Sequence, residues 1–428
     1  MAKLAIKGGK KAVTKEGKKD PLCKKILREE EVMITKLLYK KEISGGSVTV
    51  ESLEKEWAEY IGTKYCLAQN NGTSTLHAAY FAIGAEPGDE IITPVLTWNL
   101  GVTPIIAAHA VPVFCDCDPL TLNLDPTKIE EKITAKTKAI VVTHIYGHPV
   151  NMGPVIAIAK KHHLAVIEDC SHAHGAEYQG KKVGSLGDIG CFSLQGSKLM
   201  SGGEGGLLVT DNLEYYERAI MLGHYERIPS LVSKKYRKYK AGENIPPMNL
   251  GFKYRIHPFA AAMAKVQFKY LEKRNSLERK NCEYLGKGLA EIAGFDAPYV
   301  APYATKVTWL NYLVRFYPDK FKGISRDTVI EALRAEGVSA DTGRAGYIPL
   351  HFQPLIQEQD FYGKGCPWKC QYAKAQKVSE PGDFPVAEKI YKERIMLTNF
   401  RDIIYDTELL DMYVEAFQKI ADNLDKLR

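Results

Sequence analysis

Seven short apolar runs recur between residues 60 and 210, separated by stretches of helical character, and this spacing limits the possible fold more than any other feature of the chain. The runs are Cys66–Ala68, Glu90–Pro94, Val111–Cys117, Ala139–Tyr146, Leu164–Asp169, Gly190–Leu194 and Gly206–Thr210. Strand and helix in alternation define an α/β unit with a mostly parallel sheet. Several runs lack the polar alternation of a half-exposed strand, as suits strands covered by helices on both faces. The spacing predicts helices over Ser74–Ala85, Leu100–His109, Pro126–Ile133 and Gly153–His162. A long helical segment, Ala260–Leu289, then turns from small and apolar to charged and leads out of this unit. The rest carries a β-like Thr308–Phe316, a helix Asp327–Glu336 and a final helix Leu409–Leu427, and reads as a smaller α+β domain. The expected division is therefore a large domain at 1–275, with an N-terminal arm, and a small domain at 276–428.

Composition narrows the class of partner. The chain is 45% hydrophobic and 25% charged with a net charge of +7. Much of the excess sits at Lys7, Lys10, Lys11, Lys15, Lys18, Lys19, Lys24 and Lys25, which reads as a solvated arm. No nucleic-acid reading motif accompanies it, so nucleic-acid binding is not expected. The 9 cysteines follow no metal-ligand or disulfide spacing and read as reduced thiols of a cytoplasmic protein. No membrane span is expected either. The longest uncharged stretch, Ile91–Cys115, is broken by Pro94, Asn99, Pro104, His109 and Pro112, and the lysine-rich start lacks the apolar core of a signal peptide.

The chemistry concentrates in VIEDCSHAHGA and IGCFSLQGSKLMSGGEGG, which place an acid, histidines and a lysine at successive strand ends. In parallel α/β sheets such ends line the ligand site. Asp169 closes an apolar run where a carboxylate needs a partner; a pyridinium nitrogen would serve, and so would a structural hydrogen bond or a helix cap. Lys198 lies among small and apolar residues, which suits an amine nucleophile as well as a phosphate-binding or surface lysine. Gly72, Thr73 and Ser74 open a helix and offer an anion cradle, or simple capping by Thr73 or Ser74. Trp98 could face a planar ring or fill a core.

Taken together and in order, these pieces resemble the DegT/DnrJ/EryC1/StrS family of sugar aminotransferases, a branch of the aspartate-aminotransferase fold (fold type I). The resemblance runs through LAIKGG, NNGTSTLHAAYFAIGAEPGDEIITP, AVPVFCDCDPLTLNLDP, HIYGHPVNM, VIEDCSHAHGA, FSLQGSK with GGEGG, and PVAEKIYKERIML. It implies that Lys198 carries pyridoxal 5′-phosphate (PLP), that Asp169 partners the pyridine nitrogen, and that His172 lies near the ring hydroxyl. It places the phosphate on Gly72, Thr73, Ser74 and Ser193, and Trp98 on the ring face. It also implies a cycle through pyridoxamine 5′-phosphate, glutamate or glutamine as amino donor, and a keto-sugar or cyclitol ketone as acceptor. It further implies a second copy of the chain as partner, in a homodimer with shared active sites. Where the family has G-[YF]-N-x-R this chain reads Gly251-Phe252-Lys253-Tyr254-Arg255, so Lys253 stands where an asparagine reaches the partner's phosphate; a role toward an acidic substrate group is equally open. Tyr146, His148, Arg255, His257, Tyr347 and His351 are candidate acceptor-side residues. A sugar 3-dehydratase of the same fold carries histidine in place of the lysine, so Lys198 argues against that alternative. A non-catalytic regulator on this fold is disfavoured by the joint presence of acid, lysine and phosphate loop.

Overall fold

The computed structural model describes residues 2–21, 26–44, 46–228, 232–233, 250–343, 347–373, 377–398 and 403–427. The seven apolar runs become the strands of one sheet: β1 (Tyr65–Gln69), β2 (Glu90–Pro94), β3 (Val111–Cys115), β4 (Thr137–Thr143), β5 (Ala165–Asp169), β8 (Ile189–Ser193) and β9 (Gly206–Thr210), with the short β6 (Glu177–Tyr178) and β7 (Lys181–Lys182) forming a hairpin between β5 and β8. The order across this 7-stranded sheet is β1-β9-β8-β5-β4-β2-β3. β9 alone runs opposite to the other six strands. The parallel strands thus present their C-terminal ends along one edge, and the residues that follow them meet there.

Both faces of the sheet are covered, which explains the unbroken apolar runs. On one face Leu67, Ile91, Val141, Ile167 and Leu208 pack with the helix Gly72–Ala82 and the helix Leu213–Gly223. On the other, Ala68, Phe192, Leu207 and Val209 pack with Trp57 of the helix Val48–Ile61 and with Ala261 and Ala264. Burying one side chain of Phe or Leu size contributes about 2–3 kcal/mol. Alternate residues of one strand therefore supply two separate cores.

A second, 4-stranded antiparallel sheet has the order β10-β12-β14-β13, from Phe295–Asp296, Tyr312–Phe316, Arg394–Leu397 and Ala340–Asp341. The final helix, Thr407–Ala421, packs Leu410, Tyr413, Phe417 and Ile420 on it, and the Asp406 carboxylate caps its start by accepting the Leu409 amide. β11 (Ala304–Lys306) pairs with β6 and ties the two units together.

Several expectations change. The segment read as one helix over Ala260–Leu289 is two, Pro258–Lys269 and Leu271–Leu289, broken at Tyr270. The stretch Pro126–Ile133 forms two 3₁₀ turns, since the carboxylate of Asp125 caps a turn begun by a proline. The stretch read over Leu100–His109 is a 3₁₀ turn, Asn99–Gly101, followed by a five-residue helix, Thr103–Ala107, with Pro104 in its first turn. The basic N-terminal segment is no free arm: Leu4, Ala12 and Val13 lie in the same core as Phe417, and Lys15 pairs with Asp406 and Glu408. Its lysines up to Lys19 are exposed or half-buried while its few apolar residues anchor it to the C-terminal unit, whereas the expected division grouped it with the large domain. Conversely, Tyr347, Leu350, Trp368 and Ile390, which the reading put in the small domain, pack in the core of the large sheet.

Candidate active site

A cavity of about 1450 Å³ opens at the C-terminal edge of the large sheet, and Gly72, Thr73, Ser74, Trp98, Asp169, His172, Ser193, Lys198 and Tyr347 all line it. Apart from Tyr347, they arrive from the ends of four strands or the segments just after them. The first three begin the helix that follows β1, Trp98 follows β2, Asp169 ends β5, and Ser193 ends β8 with Lys198 in the next turn.

The anion cradle is built by close packing. Asn71, rather than Thr73 or Ser74, caps the helix: its Oδ1 accepts the Ser74 amide at 2.7 Å. The Ser74 hydroxyl in turn donates to the Asn71 carbonyl at 2.7 Å. A Cβ on Gly72 would stand 2.7 Å from the Ser193 Cβ, so only glycine lets the end of β8 lie against the helix start. A Cβ on Gly206 would stand 2.5 Å from the Asn71 carbonyl oxygen. These two glycines bring the Ser193 hydroxyl beside a helix N-terminus, the arrangement that receives a phosphate.

Asp169 is 6% exposed and accepts the Ser171 amide at 3.0 Å. Its strand end is held by a neighbouring acid. Glu168 is fully buried and accepts the amides of Gly184, Leu186 and Gly187 at 2.7–2.8 Å and the His144 ring at 2.9 Å. Burial opposes its charge, yet the bonds from His144 and the backbone keep its carboxyl below the usual range. His144, Glu168 and Cys170 lie close enough to suggest a metal site, but Glu168 is saturated and His144 Nδ1 accepts the Val150 amide. The sequence reading passed over Glu168 because it looks like any strand residue.

His172 is buried, accepts the Tyr146 amide at Nδ1 (3.3 Å) and meets the Tyr347 hydroxyl at Nε2 (3.1 Å). Burial, then the charge of Lys198, push its pKa well below the ordinary histidine value. The ring is neutral at neutral pH, and with Nδ1 accepting, its proton is assigned to Nε2. Tyr146 stacks on this ring from behind, at 5.9 Å and 17°, while Trp98 and Tyr347 meet at 5.3 Å.

The remaining candidates lie elsewhere. His148 contacts the Pro149 carbonyl through Nδ1 (2.7 Å) and accepts the Ala301 amide at Nε2 (3.1 Å), tying two loops; burial lowers its pKa to about 4. His351 is buried against Glu388 at 3.0 Å. Arg255 pairs with Glu226 at 3.4 Å and lies over the Tyr225 ring. His257 is exposed and caps the helix Pro258–Lys269. Lys253 is exposed with φ +55°, a conformation that asparagine tolerates better than lysine. None of the five lines the cavity of its own chain. Arg394, which the sequence reading did not select, is buried behind Tyr146 and Tyr347 and bonds to both.

The residues present fit PLP. A buried carboxylate, a lysine amine and a glycine-packed helix start with two hydroxyls share one cavity, and these are the groups needed for a pyridinium nitrogen, an aldehyde and a phosphate. Fold and site together define an α/β enzyme of the fold that carries PLP. The chain belongs to the DegT/DnrJ/EryC1/StrS aminotransferase family, which matches residues 24–407. It is 37% identical over 321 residues to an L-glutamine:2-deoxy-scyllo-inosose aminotransferase of Streptoalloteichus tenebrarius, covering 73% of this chain and 74% of that one. It is 36% identical over 314 residues to a GDP-perosamine synthase of Caulobacter vibrioides, covering 73% and 79%. Among solved structures, an aminotransferase from Psychrobacter cryohalolentis superposes with a TM-score of 0.81 at 24% identity, over 95% of this chain and 100% of that one. Among the described residues no helix is long and apolar enough to cross a membrane.

Proposed function

We propose that this chain transfers the amino group of glutamine or glutamate to the ring ketone of a keto-sugar or cyclitol, with PLP held on Lys198 and passing through its pyridoxamine form. The observation that carries the reading is the convergence of Lys198, Asp169, Ser193 and the Gly72–Ser74 helix start on one cavity. The relatives named for inosose and GDP-perosamine chemistry support a polyhydroxylated cyclic acceptor.

The cofactor, when bound, supplies an electrophilic carbon and a ring that accepts the electrons left when a proton departs the donor's α-carbon. The protein's own residues do the rest. The Asp169 carboxyl, buried at the end of β5, would pair with the pyridine nitrogen and hold its proton. The start of the helix Gly72–Ala82, with the hydroxyls of Ser74 and Ser193, binds the phosphate and fixes the ring's register. Trp98 would cover a ring face, and neutral His172, whose Nε2 meets the Tyr347 hydroxyl, would stand on the side of the ring hydroxyl. The Lys198 amine, freed when the donor takes its place, would take the donor's α-proton as base and deliver it as acid to the cofactor carbon that receives the amino group, with the reverse transfer serving the ketone acceptor. Tyr347 borders the acceptor's side of the cavity.

We assign Lys253 to the neighbouring subunit of a homodimer, where its ammonium meets the phosphate as a point charge. Its exposure and strained backbone, beside exposed Leu250 and Phe252, support this. Free thiols at the eight described cysteines, six of them buried, suit a cytoplasmic enzyme. The test is a screen of keto-acceptors against the pyridoxamine-loaded protein: loss of its near-ultraviolet band with an inosose or a nucleotide-linked 4-keto-sugar supports the reading, and no response to any cyclic polyol ketone refutes it.

A further inference from the structure

Arg394 is 3% exposed at the start of β14, and among the described residues no carboxylate pairs with it. The neighbouring Glu393 is engaged by Arg315 and Lys389 instead. A guanidinium this deep is costly unless its donors are used. Here Nη1 donates to the Tyr146 hydroxyl at 2.9 Å and Nη2 to the Tyr347 carbonyl at 2.9 Å, while the Tyr391 and Tyr347 rings lie 5.1 and 5.9 Å from the guanidinium carbon. Among the described residues the Nε proton has no partner.

These two bonds close a loop. From Tyr146 the backbone amide donates to His172 Nδ1 at 3.3 Å, and from His172 Nε2 the contact runs to the Tyr347 hydroxyl at 3.1 Å. Arg394, Tyr146, His172 and Tyr347 thus form a ring of four hydrogen bonds, with one member on the small sheet and two on the loops after β4 and β5. A second observation bears on it. Tyr146 has φ +53° and ψ +15°, a left-handed backbone that a bulky residue keeps only where its surroundings over-determine it. That backbone aims its amide at His172 and its hydroxyl at Arg394.

We propose that Arg394 is a positioning residue: its planar fork clamps Tyr146 and Tyr347 and thereby fixes the His172 imidazole and the Tyr347 phenol at the wall of the cavity. The inference rests on the PLP reading for its catalytic consequence, but the ring itself belongs to the protein alone. A lysine keeps the charge and loses the fork, so it does not substitute. Tyr146→Phe removes one acceptor and leaves Arg394 in place, a milder break should the Arg394 variants fold poorly.

The test has two arms. In cofactor-free protein, amide exchange is followed in peptides containing Tyr146 and Tyr347 for wild type, Arg394→Lys, Arg394→Met and Tyr146→Phe. All three variants are expected to exchange roughly 10-fold faster or more in those peptides, with the β8 and β9 peptides unchanged. In PLP-loaded protein, the pH midpoint of the visible cofactor band is expected to move by about half a unit or more in each variant, without recovery in Arg394→Lys. Unchanged exchange overturns the proposal. Faster exchange with an unmoved band shows a ring that positions nothing at the cofactor, and also overturns it. A rise in the donor's KM alone, with exchange and band as in wild type, makes Arg394 a substrate contact instead. If wild type binds no PLP, the functional reading fails, and the exchange arm still decides whether the ring exists.

Discussion

The wall formed by Asp169, His172 and Ser193 and the segment Gly251–His257 are built in opposite ways. The wall residues are 6%, 2% and 8% exposed, and each is hydrogen-bonded within the chain. In the segment, Gly251, Phe252, Lys253 and His257 are exposed, and Lys253 holds a left-handed backbone. One half of the expected site is finished within a single chain. In the other, Tyr254 lines the cavity while Lys253 and His257 stand exposed outside it, as a contribution to a second copy would.

The largest break in this comparison is Lys198→Ala. Turnover falls below detection in an assay of donor-driven amino transfer, while the folded protein still takes up PLP without the covalent band, because the helix start and Asp169 are intact. Asp169→Asn comes next. A neutral amide cannot hold the pyridinium proton, so donor half-reaction rates measured by stopped flow fall by roughly 10²-fold or more. Rates within a few-fold of wild type would mean that Asp169 serves only the Ser171 amide.

Lys253→Ala is expected to weaken PLP affinity by about 10-fold, as fits loss of one point charge on a phosphate. Mixing it with Lys198→Ala sharpens the comparison. Dimers carrying one damage on each chain hold one intact site, so activity rises above either variant alone once subunits exchange. Failure despite proven exchange would place Lys253 in its own chain's site.

The smallest effect concerns His148. Its folded pKa of about 4 lies below the ordinary histidine value near 6.5, so the folded state prefers the neutral ring. Its contribution is whole above pH 6.5 and drains away as pH falls toward 4, on the order of 3 kcal/mol in all. His148→Gln should flatten part of that acid slope in denaturant titrations between pH 7 and 4, with little change in turnover. An unchanged slope would assign the loss to other groups, such as His224, which burial lowers to about 3.

The sequence made the large sheet legible because each strand is apolar on both faces, and the ends of the runs fall within three residues of the ends of the seven strands. It made the inner half of the site legible because Lys198, Asp169 and the Gly72–Ser74 start are short motifs on strand ends. Arg394 was invisible for the opposite reason. Its partners, Tyr146 and Tyr347, are far away in the chain, and an arginine in an amphipathic stretch looks like a surface residue. His148 and His351 were misleading because a polar residue near a motif can be buried to tie loops together instead of facing the cavity. The cap at Asn71 was readable but overshadowed by the hydroxyls that follow it. The N-terminal lysines hid the sparse apolar residues, Leu4, Ala12 and Val13, that dock the segment.

The most direct test of the account is where the cofactor attaches. PLP-loaded protein is reduced with borohydride, digested and mapped by mass spectrometry. The account predicts a phosphopyridoxyl group on Lys198 alone, lost in Lys198→Ala. The label on another lysine, or no label on a protein that shows the visible band, would contradict it.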